Sequence, residues 1–164
     1  MIGGGMMIKK QTKSCSEEQI TNIRQLFEEF KECDLGLNFV SWMSIDKNGE
    51  SNYIASSLQW EKIFREENII EKDMLNYILD TTPLRKWVCW NNCPKTYDPY
   101  GLIARRIDVC QTIKSGSLIL CDSDCTHYFN FAFDHDVDIE SFLWKNTFLI
   151  ENYAQGIKNN LFQC

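Results

Sequence analysis

Two Cys-x-x-x-Cys pairs, Cys89/Cys93 and Cys121/Cys125, with His127 just beyond the second, are the side chains most suited to gripping a metal. Structural zinc sites favour two-residue spacings in knuckle turns, and the second pair falls in text that reads as a hairpin. We therefore expect no metal, and take the thiols as small buried hydrophobes with a few exposed members. The same cysteines could act as nucleophiles if one were activated by an imidazole. His127 and His135 are the only histidines, and no spacing pairs either with a particular thiol. His135, inside Asp134-His135-Asp136, fits a solvated helix N-terminus, where acids favour the dipole. The expectation is a protein that is not an enzyme and holds no cofactor, with a cysteine-dependent enzyme as the residual alternative.

A second constellation is aromatic with one charge in it. Trp60, Phe64 and Asp73 fall in one short span, Trp87 and Trp90 follow, and Trp42 and Tyr53 precede it. A packed core explains indoles but not a carboxylate among them. Asp73 has a simple structural role available, as N-cap of a helix that ends before Pro83, which contributes about 1 kcal/mol without any ligand. Trp60 is core in any case, and Trp42 is expected to line the same interior. Trp87 and Trp90 are either further walls or a surface lid, and Gly116 suits a turn or a close approach.

The elements that must position these residues follow from pattern. Ser16-Glu17-Glu18-Gln19 can form a capping box, and Ile20, Ile23, Phe27 and Phe30 continue at helical spacing to a stop near Gly36. Leu37 to Asp46 is rich in β-formers, Lys47-Asn48-Gly49 is a hairpin turn, and Ser51 to Ser56 returns. A cap pattern of Ser56 with Gln59 starts helical text to about Arg65, and Asp73 starts another helix. Leu84 to Gly101 reads as irregular. A helix is expected over Tyr100 to Thr112, with Leu102, Ile103 and Ile107 buried. Gly116 to Asp122 and Thr126 to Asp134 form a second hairpin, and Tyr128 to Phe133 is too uniformly apolar for a strand wetted on one face. A long helix runs from Asp138 to about Leu161, with Phe142, Phe148, Leu149, Tyr153 and Ile157 available for packing. This order predicts an α+β fold, a three-layer α/β/α sandwich around a central antiparallel sheet of the PAS/GAF-like sensor type.

Composition agrees with one such domain. The chain has 164 residues, 44% hydrophobic and 13% aromatic, enough for a single sizeable core. Residues 1–15, with their glycine triplet, are expected to be a flexible leader or a vector-derived scar, and residues 16–164 the folded domain. With no secretory-type leader, reduced thiols in a cytosol are the expected state of the eight cysteines. A net charge of −6, with no basic cluster beyond Lys9, Lys10 and Lys13, argues against duplex DNA binding by this chain alone. No apolar run is long enough to span a membrane.

With elements and spacings in place, the sequence resembles the N-terminal autoinducer-binding domain of LuxR-type quorum-sensing regulators over about Ile20 to Phe162. The residues that carry this are Trp60, the aromatic Phe64 four positions on, Asp73-Met74 nine further, Trp87 and Trp90 about a later tryptophan position, and Gly116 leading the closing hairpin. The resemblance implies a pocket for an N-acyl homoserine lactone. Trp60 would donate its indole N–H to the lactone carbonyl, Asp73 would accept the ligand's amide N–H, and Phe64, Trp42, Tyr53, Trp87, Trp90 and Gly116 would enclose it. Phe64 stands where many members carry Tyr, Met74 where Pro is usual, and Ser56 where a further Tyr is common, so the pocket differs in its hydroxyls. Tyr53, on an alternating strand, points the wrong way for a one-to-one replacement of that Tyr. The resemblance also implies a cytoplasmic bacterial protein that dimerises through its last helix and meets DNA only through a C-terminal domain absent from this chain. The alternative is a stand-alone LuxR-like protein without that domain, acting by heterodimerisation or on a different ligand.

Overall fold

The computed structural model describes residues 15–33, 35–69, 87–92, 96, 98–121 and 124–162. The expected helix from Asp73, together with Met74, Cys93 and nearly all of the leader, lies outside the described residues.

Helix α1 (Glu17–Glu32) begins as its sequence predicts. The Ser16 hydroxyl accepts the Gln19 N–H at 3.2 Å, and the Gln19 side chain accepts the Ser16 N–H at 2.8 Å. It ends at Cys33, ahead of Gly36, whose φ of +75° serves instead the entry to β1. A Cβ at Gly36 would stand 2.9 Å from the His135 ring. Strands β1 (Leu37–Asp46) and β2 (Ser51–Ala55) make the first hairpin, with Gly49 at φ +79° and the Asp46 carboxylate accepting the Asn48 and Glu50 N–H groups at 2.8 and 2.9 Å. Helix α2 (Leu58–Glu66) is capped by Ser57, not Ser56. Ser56 is engaged with Val40, donating its N–H to the Val40 carbonyl and accepting the Val40 N–H on its hydroxyl.

The stretch expected to be irregular contains a short strand, β3 (Trp87–Cys89), and a 3-10 turn, Trp90–Asn92. Three residues are too few to show a period, and the open edge of β4 makes this strand by pairing Trp87 with Leu118 and Cys89 with Gly116. Helix α3 (Leu102–Cys110) is shorter than expected, because the Asp98 carboxylate accepts the Leu102 and Ile103 N–H groups and Gln111 turns left-handed at φ +58°. Ile107, expected on its buried side, is exposed. Strands β4 (Lys114–Cys121) and β5 (Cys125–Phe133) form the second hairpin, and α4 (Ile139–Phe162) closes the fold. Hydrogen bonds from the Ser141 backbone and hydroxyl hold the Asp138 carboxyl, at the start of α4, below its ordinary pKa. No described helix is long and apolar enough to cross a membrane.

The five strands pair antiparallel in the order β2-β1-β5-β4-β3. One face carries Val40, Trp42, Ile54, Leu118, Phe129, Phe131 and Phe133 against α1 and α4. The other carries Phe39, Met43, Tyr53, Tyr128 and Ala132 against α2 and α3. The expected α+β sandwich of three layers is therefore the observed one. β5 lies at the centre of the sheet, covered on both faces, which is why Tyr128 to Phe133 shows no polar alternation.

The free edge of β2 is closed by charge. Glu61 of α2 is buried; its Oε2 accepts the Ala55 N–H at 3.1 Å and pairs with Arg24 of α1 at 2.7 Å, and its Oε1 pairs with Arg65 at 2.8 Å. Arg24 also donates to the Ala55 carbonyl and Arg65 to the Tyr53 carbonyl. Three side chains from both helical layers thus occupy the backbone groups that an edge strand leaves open.

At the opposite side of the sheet, Gly116 sits at a close approach. A Cβ there would stand 3.1 Å from each of Ile139 Cγ2, Phe131 Cε2 and the Val88 carbonyl oxygen. The last is backbone in a paired strand and cannot yield as a side chain does. Gly116→Ala is expected to destabilise by about 1–3 kcal/mol, read as a lower denaturant midpoint with an unchanged slope.

Candidate functional site

Between the sheet and the α2/α3 layer lies a cavity lined by Ser41, Met43, Tyr53, Trp60, Phe64, Trp90, Leu102, Ile103, Arg106 and Asn130. Strand alternation explains the list. Ser41 and Met43 of β1 and Tyr53 of β2 point to one face, with Met43 paired to Tyr53 and Tyr128, and Ser41 paired to Ala55 and Asn130. From α2, Trp60 and Phe64 are one turn apart and both buried. Phe64 stacks on Tyr53 with ring centroids 3.8 Å apart and planes 14° from parallel.

A polar row crosses the floor of the cavity. The Trp90 indole N–H donates to the Ser117 hydroxyl at 2.7 Å, that hydroxyl donates to the Asn130 carbonyl, and the Asn130 amide donates to the Ser41 hydroxyl at 3.0 Å. These buried groups satisfy one another and fix the rotamer of Trp90. Trp60 differs: its indole N–H has no hydrogen-bond partner among the described residues, although the ring is buried against the cavity. The free space is about 40 Å³, enough for a few waters at roughly 10–15 Å³ each. A drug-sized ligand needs about 300–1,000 Å³, so a larger guest enters only as the walls part.

Of the residues singled out from sequence, Trp60, Phe64, Tyr53 and Trp90 meet at this cavity. Tyr53, expected to enclose the pocket without replacing the missing Tyr one for one, faces in. Trp90 is wall, not lid. Three placements correct the sequence reading. Trp42 lies behind the sheet, where its indole N–H donates to His127 Nδ1 at 3.2 Å. Trp87 and Gly116 also face the α4 side, because β3 and β4 send Val88 and Ser117 toward the cavity and their neighbours away. Asp73 lies outside the described residues. Sequence reasoning missed Ser41, Met43, Leu102, Ile103, Arg106 and Asn130. Ser41 and Met43 flank Trp42 and were legible as its opposite parity; Arg106 carried no signal.

None of the described cysteines or histidines lines the cavity. No group of three or more metal-ligating side chains forms among the described residues. His127 is buried behind the sheet and His135 is exposed beside the Asp134 carboxylate at 2.9 Å. Cys110, at the end of α3, has its thiol pKa pushed up by burial, against the opposing pull of a hydrogen bond with Ser57 and of the Arg106 charge.

No family model and no curated protein matches the sequence. Solved structures do match the fold. Escherichia coli SdiA aligns with a TM-score of 0.64 at 8% identity, covering 86% of this chain and 63% of that one. The N-acylhomoserine lactone-dependent LuxR-family transcription factor CepR2 of Burkholderia cenocepacia aligns at 0.57 with 11% identity, covering 85% of this chain and 94% of that one. The fold is that of a LuxR-type signal-binding domain. SdiA in complex with octanoyl-rac-glycerol aligns similarly, at 0.58 and 10% identity, covering 90% of this chain and 61% of that one. This chain thus spans less than two thirds of the length of SdiA. The LuxR-type structures named here are of ligand-dependent or ligand-bound proteins, and what they share with this chain is the fold.

Proposed function

We propose that this chain is the small-molecule sensor domain of a LuxR-type regulator, cytoplasmic and bacterial, that binds a signal of the N-acyl homoserine lactone type and couples binding to dimerisation. The observation that carries this reading is the buried Trp60, which borders an aromatic cavity with an indole N–H that no described residue accepts. That N–H is not among the sealed polar atoms of the fold, so it stays open to a guest, and a ligand carbonyl in the cavity can accept it. The neighbours support the ligand class: CepR2 is N-acylhomoserine lactone dependent, and SdiA takes octanoyl-rac-glycerol. A neutral acyl chain among Met43, Tyr53, Phe64 and Leu102 gains about 0.8 kcal/mol per buried CH₂. In this reading Asp73 accepts the ligand's amide N–H, a role that rests on the sequence resemblance. DNA would be met through a further C-terminal domain, and no catalysis is proposed.

The test is a pair of conservative variants with N-octanoyl homoserine lactone as probe. Trp60→Phe keeps most of the apolar wall and deletes the donor; Asp73→Asn removes the charge and preserves the capping role read from the sequence, since Asn caps about as well as Asp. Each is expected to weaken binding by about 1.5–3 kcal/mol, roughly tenfold to a hundredfold, with the melting temperature of the ligand-free protein unchanged. Wild-type affinity in both variants would mean that Trp60 is core and Asp73 a cap.

A further inference from the structure

Arg106 stands apart from the other described arginines. Arg24 and Arg65 pair with Glu61, and Arg105 with Glu67. Arg106 has no carboxylate partner among the described residues, although it lines the cavity. Its Nη2 donates to the Ser115 hydroxyl at 2.7 Å, and its guanidinium sits 5.8 Å from the centre of the Phe39 ring. Its Nε is buried and has no hydrogen-bond partner. A guanidinium keeps its charge at every physiological pH and offers donors in a fixed fork. A hydroxyl and a ring face are weak company for a charge that is partly buried and has no counter-ion among the described residues. The neutral polar groups on the same wall, Ser41 and Asn130, are already satisfied by one another.

We infer that the cavity selects an ionised carboxylic acid on a small apolar body. The carboxylate would pair with the Arg106 guanidinium, whose unpartnered Nε is sealed here and comes within reach as the walls part. The hydrocarbon would lie among Met43, Tyr53, Trp60 and Phe64. Guanidinium and carboxylate match in charge and in planar donor–acceptor geometry, and such charge-assisted bonds are about twice as strong as neutral ones. This rests on the reading of the chain as a small-molecule sensor and puts an acid in place of the neutral lactone as its ligand. Arg106 then acts as the specificity-determining residue.

Matched probes separate the two ideas. The whole chain is titrated at pH 7 with octanoate, octanamide and N-octanoyl homoserine lactone, following tryptophan fluorescence and calorimetric heat. Octanoate is expected to bind at least about tenfold more tightly than octanamide, a margin that one charge-assisted bond supplies. Arg106→Gln should erase this preference, weakening octanoate more than octanamide, while Arg106→Lys, which keeps the charge without the fork, retains part of it. Equal binding of acid and amide by the wild-type chain, or tight binding of the lactone with none of octanoate, overturns the role of Arg106 and leaves the sensor reading standing. Binding of none of the three overturns both. The wild-type comparison decides the question even if Arg106→Gln fails to fold.

Discussion

Glu61→Ala is expected to destabilise the fold by about 3 kcal/mol, the largest stability effect of any polar substitution considered. The Glu61 side chain is 6% exposed and faces two arginines and one backbone N–H. Removing it leaves the Ala55 N–H without its acceptor and two cations beside each other. Both arginines reach solvent, at 29% and 44% side-chain exposure, so the cost stays at the lower end of what a broken buried pair shows. In a chain of this length each kcal/mol moves the melting temperature by roughly 2–4 °C, so a fall of about 6–12 °C is expected. Glu61→Gln should fall in between, since its amide carbonyl can still accept the Ala55 N–H. A second readout follows from geometry. With the clamp gone, β2 presents open backbone groups, and the variant should aggregate faster than a control of equal stability such as Gly116→Ala. A melting temperature within 2 °C of wild type would show that the ion pairs contribute nothing net.

The second large effect is on assembly. In the sequence of helix α4, Phe142, Trp144 and Phe148 do not fit a single stripe, and Phe148, read as available for packing, does not pack within the chain. Ile139, Leu143, Ile150, Ala154 and Ile157 are buried on the α1 side, whereas Trp144 and Phe148 are 86% and 79% exposed. They stand one turn apart on the outer face, an aromatic pair that a lone domain gains nothing by exposing. We propose that this face joins two copies of the chain. A two-fold interface uses each residue twice, and buried aromatics are frequent hot spots worth about 2–4 kcal/mol each. Trp144→Glu combined with Phe148→Glu is therefore expected to weaken dimerisation by at least about a hundredfold, with little change in the melting temperature of the monomer. Sedimentation over a concentration series measures this directly. A wild-type chain that is monomeric at tens of micromolar, with and without N-octanoyl homoserine lactone, would remove the proposal.

Much of the architecture was legible in order of residues. The capping box at Ser16 and Gln19, the Lys47-Asn48-Gly49 turn and the all-apolar run Tyr128 to Phe133 each state a local preference that the fold keeps. So did the clustering of Trp60 and Phe64, because residues four apart on a helix share a face whatever lies opposite. Tertiary structure decided the rest. Trp42 and Tyr53 both looked like pocket walls, but alternation says only that neighbours diverge, not which face holds the cavity. That choice was made by the pairing of Met43 with Tyr53 and Tyr128, which set Trp42 against the opposite helices. β3 is three residues long and exists because β4 had an edge to fill. Arg106 and Glu61 are ordinary charged residues on helices until the layers close. Then Glu61 meets Arg24 from across the sheet and is neutralised, while Arg106 meets a hydroxyl and a ring and is not. Sequence alone determines the type and order of most elements, because periodicity, caps and turns are short-range preferences of backbone and side chain. Several of their ends moved by a few residues on packing. Which charges find partners, and which are left facing a cavity, is a matter of distances between segments far apart in the chain, and only packing sets those.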